Sequence, residues 1–163
     1  MSLLLRHKPE AEQLDMDRFG FVPVKQLIKR LDITMSDLEE IVEENNKQRF
    51  DFSHDKTKIR ANQGHSFPVD LGLPAIEPPE TLFHGTATKF LSSIYDNGII
   101  KGSRQHVHLS KDEETANEVG RRHGTVYILV IDTKQMWEDG YEFYLSKNGV
   151  WLTDFVPRKY IMN

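Results

Sequence analysis

Proline clustering divides this sequence more firmly than any other feature. Four of its seven prolines fall within the twelve residues from Pro68 to Pro79. Proline fixes φ and lacks a backbone N–H, so such a stretch disfavours both a helix and a central strand. We therefore predict an extended linker over residues 68–80 that joins two modules, residues 1–67 and 81–163.

The sequence predicts two helices in the first module. Pro23 begins a segment whose apolar residues have the i, i+3, i+4, i+7 spacing of one helix face, namely Val24, Leu27, Ile28 and Leu31. Ser36 and Glu39 then form a capping box ahead of a second helix. The residues that this helix is expected to turn inward are Leu38, Ile41 and Val42.

A hairpin follows these helices. Phe50 and Phe52 alternate with polar residues, and a polar turn at residues 53–56 leads to Ile59 and Ala61. Helices followed by a β-hairpin favour a winged-helix arrangement for the first module.

The second module mixes short helices and strands. A helix with the apolar residues Phe90, Leu91, Ile94 and Tyr95 can end at Gly98 in the left-handed conformation. Ser110 and Glu113 form a capping box for a helix that ends near Gly120. The β-branched run Thr125–Ile131 predicts a buried strand, and Asn148-Gly149 has hairpin-turn chemistry. The whole chain is therefore predicted to be α+β.

Composition restricts the class of function. With 38% apolar and 28% charged residues the chain has a soluble, globular balance, and no apolar run approaches the ~18 residues of a membrane span. Cysteine is absent, which excludes disulfides and thiolate zinc sites, and we expect a cytoplasmic location. The net charge is −4, with 11 basic and 15 acidic residues up to residue 80 and 10 of each afterwards. A contact with RNA must therefore come from a local basic cluster.

Four short clusters of basic residues could bind phosphate, because arginine offers a planar fork of donors and histidine can move a proton near neutrality. They are Arg6-His7, Lys58-Ile59-Arg60, His106-Val107-His108 and Arg121-Arg122-His123. Each also has a purely structural interpretation: a solvated helix, an exposed strand face, or a helix end where positive charge offsets the dipole. His106 and His108 could both face a metal, but no cysteine or suitably spaced carboxylate accompanies them, so we expect no metal site.

The tripeptide His84-Gly85-Thr86 is a candidate ligand site. It follows Leu82-Phe83 directly, which places it at the end of a short apolar strand. A glycine there would let a ligand approach the backbone, with an imidazole and a hydroxyl beside it. The sequence contains neither a Gly-x-Gly-x-x-Gly fingerprint nor a P-loop, so a Rossmann or Walker site is not supported.

Together the pieces resemble one family, the RNA 2′-phosphotransferases of the tRNA-splicing type. Seven segments match in the family's order and span almost the whole chain. They are Leu5-Arg6-His7-Lys8-Pro9-Glu10, Lys47-Gln48-Arg49-Phe50, Ile59-Arg60-Ala61-Asn62-Gln63-Gly64-His65-Ser66, Phe83-His84-Gly85-Thr86, His106-Val107-His108-Leu109-Ser110, Val119-Gly120-Arg121-Arg122-His123-Gly124 and Asn148-Gly149-Val150-Trp151-Leu152.

The resemblance implies an N-terminal winged-helix lobe, a C-terminal lobe of the ADP-ribosyltransferase fold that holds NAD⁺, and an active site in the cleft between them. It also implies a two-step reaction. The RNA 2′-phosphate attacks the nicotinamide ribose and expels nicotinamide, and the neighbouring ribose hydroxyl then attacks phosphorus. The products are 2′-OH RNA and ADP-ribose 1″,2″-cyclic phosphate.

The resemblance also implies roles for individual residues. Arg6, His7, Arg60 and Arg122 would form the catalytic set, with Lys58 as an auxiliary phosphate contact. NAD⁺ would be contacted by His84, Gly85, Thr86, His108 and Ser110. The roles of Arg104, His106, Arg121 and His123 stay open. Gly149-Val150 occupies the place of a catalytic glutamate in protein-modifying relatives of this fold, which suits a phosphate nucleophile that is already mostly dianionic at neutral pH.

Two other functions fit parts of the same pattern. The first is ADP-ribosyl capping of a terminal phosphate on RNA or DNA, which would stop after the first step. The second is a phosphate-reading RNA-binding module without catalysis, although such a module has no use for an NAD⁺ pocket. The sequence does not identify the natural RNA, which in organisms with ligase-type tRNA splicing would be spliced tRNA. We expect a monomer.

Overall fold

The computed structural model of the chain describes residues 1–10, 13–45 and 47–163. These residues form two compact units, Met1–Gly72 and Leu73–Asn163, each with its own hydrophobic core. Residues 62–81, all of them described, contain no helix or strand, and the boundary between the units falls in this stretch. The mixture of helices and strands confirms the predicted α+β class. Within the described residues, no helix has the length and apolar character needed to cross a membrane.

The described residues of unit 1 form three α-helices and a small antiparallel sheet. The helices are α1 (Ser2–Arg6), α2 (Val24–Leu31) and α3 (Met35–Glu44), and the strands are β1 (Val22–Pro23), β2 (Phe50–Phe52) and β3 (Lys58–Ala61). The predicted hairpin is confirmed, with Phe50 opposite Ala61 and Phe52 opposite Ile59. The sequence pattern did not indicate β1, which pairs with the other edge of β3 so that β3 lies at the centre.

Fully buried aliphatic side chains join the elements of unit 1. Leu5 of α1, Leu27 of α2, Leu38 of α3 and Ile59 of β3 are all 0% exposed and belong to one core cluster. Burying such a side chain stabilises the fold by roughly 1.5–3 kcal/mol. This core fixes the C-terminal end of α1 against β3, the two elements that contain Arg6 and Arg60.

Unit 2 consists of short strands and helices around a second core. Its elements are β4 (Leu82–Ala87), α4 (Leu91–Asn97), β5 (Ile99–Ile100), β6 (Val107–Leu109), α5 (Glu113–Arg121), β7 (Val126–Ile131), α6 (Thr133–Glu138), β8 (Tyr144–Leu145), β9 (Trp151–Thr153) and β10 (Phe155–Val156). The pairs β4–β7 and β5–β10 and the three-stranded set β6–β9–β8 are all antiparallel. The predicted hairpin around Asn148-Gly149 is confirmed by β8 and β9, with Gly149 at a φ of 82°.

Two glycines let α5 lie directly against β4. A Cβ built on Gly85 would lie 1.6 Å from the carbonyl oxygen of Ala116 in α5, and one on Gly120 would lie 2.8 Å from the carbonyl oxygen of Thr86. No Cβ can occupy either position without moving the backbone. At Gly85, helix α5 therefore occupies the space that a side chain would take, whereas we had expected that space to admit a ligand.

Both predicted capping boxes are wrong in position. The N-cap of α3 is Thr34, whose hydroxyl accepts from the Asp37 N–H while the Asp37 carboxylate accepts from the Thr34 N–H, and Ser36 lies inside the helix. The N-cap of α5 is Asp112, which accepts from the Thr115 N–H. Ser110 cannot begin this helix because its N–H and carbonyl both bond the backbone of Phe83, at 2.8 Å each.

Three further expectations are corrected by burial and backbone geometry. Ile41 is 41% exposed, so α3 turns mainly Leu38 inward. Helix α4 ends before Gly98 as predicted, but with φ 79° and ψ −176°, which is not the left-handed helical conformation. The predicted buried strand is only partly buried: in β7 Leu129 and Ile131 are buried, and the other residues of the strand are partly exposed.

The segment His84-Gly85-Thr86 also differs from its predicted location. It lies inside β4, which continues to Ala87, and not at the end of a shorter strand. Strand β7 extends the pairing through Tyr127 and Val126, opposite Thr86 and Ala87. Because side chains alternate along a strand, His84 and Thr86 face away from α5 while the Gly85 position faces α5.

Candidate active site

The end of α1 places Arg6 and His7. Arg6 is only 9% exposed and His7, the C-cap of the helix, is half-buried. The Ser66 N–H donates to the Arg6 carbonyl at 2.9 Å, so the segment after β3 ties down the end of α1. Arg6 therefore places a largely buried positive charge at this corner of unit 1, and such a charge attracts an anion.

The central strand β3 holds the next predicted residue, Arg60. Its Nη1 donates to the Phe19 carbonyl at 3.2 Å, and its guanidinium lies 4.6 Å from the centre of the Phe21 ring. Burial lowers the pKa of Arg60, while the carboxylates of Asp51, Asp17 and Asp70 act in the opposite direction. An arginine remains charged in such surroundings, so β3 presents a fixed cation.

Lys58 lies two residues earlier on β3 and is more loosely held. Its Nζ lies 3.5 Å from Asp17 Oδ2, and half of its side chain is exposed. An exposed ion pair of this kind contributes little free energy. The lysine can therefore leave Asp17 for a phosphate at small cost, which agrees with an auxiliary contact.

A residue without a predicted role, His65, connects this group. Burial, and after it the positive charges of Arg6, Arg60 and His7, lower the pKa of His65 to about 4. These electrostatic effects mean that Arg6, His7 and Arg60 all lie around one buried imidazole. Unit 1 thus brings together three of the four predicted catalytic residues.

Unit 2 holds the predicted cofactor residues. His84 Nδ1 lies 3.0 Å from the backbone oxygen of His108. Since a carbonyl only accepts, Nδ1 must carry the proton, and Nε2 of the neutral ring is left as an acceptor. Burial lowers the pKa of His84, which keeps this ring neutral. An acceptor nitrogen on a fixed ring can receive a ribose hydroxyl.

The backbone aligns the other candidates with His84. The paired bonds between Phe83 and Ser110 hold the end of β6 beside β4, so that His84, His108 and Ser110 come together. Thr86 shares the strand face of His84 but is only 5% exposed, which restricts what its hydroxyl can reach.

Arg122 lies at the C-terminal end of α5. It is exposed, as are Arg121 and His123 on either side. Burial, and after it the positive charge of Arg122, lowers the pKa of Arg104, so two arginines lie near each other in unit 2. A pair of like charges is unfavourable unless an anion joins them.

The other two histidines of unit 2, His106 and His123, each lie close to an aromatic ring. The His123 ring meets Phe90 edge-on at 6.3 Å between centroids, and the His106 ring lies 5.8 Å from the Tyr144 ring. Burial is the main cause that lowers the pKa of His106. No group of three or more histidine, aspartate or glutamate side chains suited to a metal ion occurs in the part of the chain that the structure describes.

Comparison with known proteins identifies the family of the chain. Residues 1–155 match the sequence model of the family described as "RNA 2'-phosphotransferase, Tpt1 / KptA family". A relative from Fusobacterium nucleatum is 54% identical over 167 residues, covering 99% of this chain and 93% of that relative. Relatives from Flavobacterium johnsoniae (52% identical over 168 residues) and Acaryochloris marina (49% over 167) cover 99% of this chain and 91% and 92% of their own lengths. All three carry the name "Probable RNA 2'-phosphotransferase".

Proposed function

This chain belongs to the RNA 2′-phosphotransferase, Tpt1/KptA family, and we propose that it removes an internal 2′-phosphate from RNA by transferring it to NAD⁺. In the first step a phosphate oxygen bonds to the nicotinamide ribose carbon and nicotinamide leaves. In the second, the adjacent ribose hydroxyl attacks phosphorus, and the RNA 2′-oxygen leaves and takes up the proton. No water is consumed. The products are nicotinamide, ADP-ribose 1″,2″-cyclic phosphate and 2′-OH RNA.

The residues of unit 1 would bind the phosphate. A phosphate monoester is mostly dianionic near neutral pH, so it needs no general base to act as a nucleophile. It does need fixed positive charge, both for orientation and for the charge that develops at phosphorus. Arg6 and Arg60 would supply this charge, with Lys58 as a further contact, and His7 would donate a hydrogen bond or a proton to the leaving oxygen.

Arg122 is the fourth member of this catalytic set. We propose that its guanidinium contacts a phosphate oxygen during the reaction. Its exposed position at the end of α5 supports this role, because the guanidinium is accessible to a phosphate there. Arg104, whose pKa responds to Arg122, would then contact the same phosphate or a neighbouring one.

The residues of unit 2 would bind NAD⁺. The acceptor Nε2 of His84 suits a ribose hydroxyl, and the exposed parts of His108 and Ser110 lie beside it for the nicotinamide end. Gly85 would contribute only its backbone, since α5 fills the place of its side chain. This division follows what the family resemblance implies, in which unit 1 would be the winged-helix lobe and unit 2 the ADP-ribosyltransferase-like lobe.

One observation carries the proposal. The family matches residues 1–155, and within unit 1 its expected residues Arg6, His7 and Arg60 surround one buried histidine. A protein that only bound RNA backbone would gain most from exposed lysines and arginines spread over a face. A compact group of buried and half-buried cations suits a single phosphate.

The proposal is tested by incubating the protein with NAD⁺ and a short RNA that carries one internal 2′-phosphate and a terminal 5′-phosphate, and then weighing the products. We expect RNA lighter by one phosphate and a stoichiometric amount of nicotinamide. RNA heavier by one ADP-ribose would favour the capping reaction instead. Unchanged RNA, from protein whose fold is verified by circular dichroism, would contradict both reactions and favour a binding module.

A further inference from the structure

His65 is the most enclosed histidine of the chain. Of the seven histidines, all among the described residues, it alone is buried, with 1% of its surface exposed. Its ring meets Phe67 edge-on at 5.6 Å, and its Nε2 lies 3.3 Å from the point that a Cβ on Gly20 would occupy. No described residue hydrogen-bonds to Nε2. Packing thus fixes the ring and leaves one nitrogen unused.

The backbone connects His65 to the end of α1. The next residue, Ser66, donates its N–H to the Arg6 carbonyl at 2.9 Å, and its hydroxyl lies 3.4 Å from the same oxygen. The segment that contains His65 also continues directly from β3, which contains Arg60. A displacement of His65 would therefore move Arg6 and His7 relative to Arg60.

The surroundings of His65 keep its ring neutral. Burial disfavours the protonated form most, and the positive charges of Arg6, Arg60 and His7 disfavour it further. A further positive charge at this point would repel the cations that surround it. A bound phosphate dianion would reverse this balance, because its negative charge would offset theirs.

We propose that His65 is a positioning residue for the removal of the 2′-phosphate, one that holds the Arg6–His7 end of α1 beside Arg60 so that these cations meet one phosphate. This inference rests on the proposed function. It assigns to His65 no contact with the reacting atoms; His65 acts through the residues that make those contacts.

The first test separates positioning from general stability. His65→Ala should raise the KM for 2′-phosphorylated RNA and lower kcat/KM for that RNA by up to about 100-fold, because small misplacements of binding groups are costly. The KM for NAD⁺ should change less than about 3-fold, since unit 2 binds it. His65→Gln, which keeps a neutral polar side chain, should recover most of the loss.

Leu38→Ala is the matched control, because it also truncates a fully buried side chain of unit 1 but lies on α3. It should lower the melting temperature and leave both KM values unchanged below that temperature. The inference is overturned if His65→Ala shifts the two KM values equally, or shifts neither.

A second test uses the wild-type protein and does not depend on folding of a variant. Long-range ¹H–¹⁵N spectra report the protonation of each imidazole, with exposed His54 as an internal reference. Adding 2′-phosphorylated RNA without NAD⁺ should raise the pKa of His65, whereas RNA with a 2′-OH should not. An unchanged His65 titration at saturating RNA would contradict the inference, and failure of wild-type protein to consume the RNA with NAD⁺ would instead contradict the proposed function.

Discussion

The candidate residues differ most in how firmly the fold holds each side chain. Arg60 is fixed by the Phe19 carbonyl and the Phe21 ring, and His84 by the His108 carbonyl. Arg122, in contrast, extends from the end of α5 into solvent. Fixed groups give a substrate its orientation, and mobile ones close on it afterwards. The three residues should therefore respond differently to substitution.

Arg122 should be needed for turnover and not for folding. Removing one group that stabilises charge in a transition state typically lowers kcat by about 100- to 1000-fold, and we expect a loss of this size for Arg122→Ala. The melting temperature should be unchanged, because the side chain is exposed. Arg121→Ala, at the neighbouring exposed position of α5, should retain activity near the wild-type rate. Equal activity of both variants would remove Arg122 from the catalytic set.

Removing the His84 side chain should raise the KM for NAD⁺ more than the KM for RNA. His84→Ala removes both the acceptor Nε2 and the bond to the His108 carbonyl. A lost hydrogen bond of ~1.4 kcal/mol corresponds to a roughly 10-fold rise in the KM for NAD⁺. Steady-state rates with each substrate varied in turn would measure this, with His54→Ala as a control. An unchanged NAD⁺ dependence would mean that the cofactor residues have been misplaced.

His65 makes stability depend on pH. Its pKa falls from an ordinary value of 6.5 to about 4 in the folded protein, so the unfolded chain binds more protons between these two values. The free energy of unfolding should therefore decrease as pH falls from 6.5 towards 4, by up to ~3 kcal/mol. Urea unfolding of wild type and His65→Gln at a series of pH values would measure the difference. Parallel curves for the two proteins would contradict the buried, neutral state of His65.

At the scale of elements, the contact between α5 and β4 depends on glycine. Gly85→Ala would place a methyl group 1.6 Å from the Ala116 carbonyl oxygen, and backbone cannot rotate away as a side chain would. We expect the free energy of unfolding of this variant to fall by about 3 kcal/mol or more. Gly102→Ala, which has nothing within 4 Å at its Cβ position and a φ of 59°, should cost only ~1–2 kcal/mol. Equal melting temperatures for the two variants would contradict the packing of α5 on β4.

The elements themselves were largely predictable, since periodicity and turn chemistry are local. The pattern from Val24 to Leu31 gave the bounds of α2, and both hairpins formed where Phe50–Ala61 and Asn148-Gly149 indicated. The starts of α3 and α5 were not predicted correctly, because two overlapping N-cap patterns compete at each of them. Thr34 prevails over Ser36, and Asp112 prevails over Ser110, whose backbone is engaged by Phe83.

The candidate residues of the site came from the family resemblance, but their surroundings could not be predicted. The structure gives defined side-chain contacts to Arg60 and His84. His65 belonged to a matched segment, yet nothing in the sequence showed that it is buried among Arg6, His7 and Arg60, because these residues meet only through tertiary packing. The neutral form of His84 likewise follows from a bond to a distant backbone carbonyl.

At the scale of the whole molecule, the net charge agrees with an enzyme that recognises a single phosphate. A net charge of −4 does not favour binding along an RNA backbone, so recognition should depend on the 2′-phosphate itself. The two units have separate cores, and the candidate residues for phosphate and for NAD⁺ are mostly divided between them, with Arg122 as the exception. Such a division suits an enzyme that brings two substrates together.

The central claim, that phosphorus moves from RNA to ADP-ribose, is tested most directly by following the phosphorus. An RNA with a ³²P-labelled internal 2′-phosphate is incubated with the protein, with and without NAD⁺, and the labelled products are separated. The account predicts that the label moves entirely to ADP-ribose cyclic phosphate and that none is released without NAD⁺. Label released as inorganic phosphate, with or without NAD⁺, would contradict it and indicate a phosphatase.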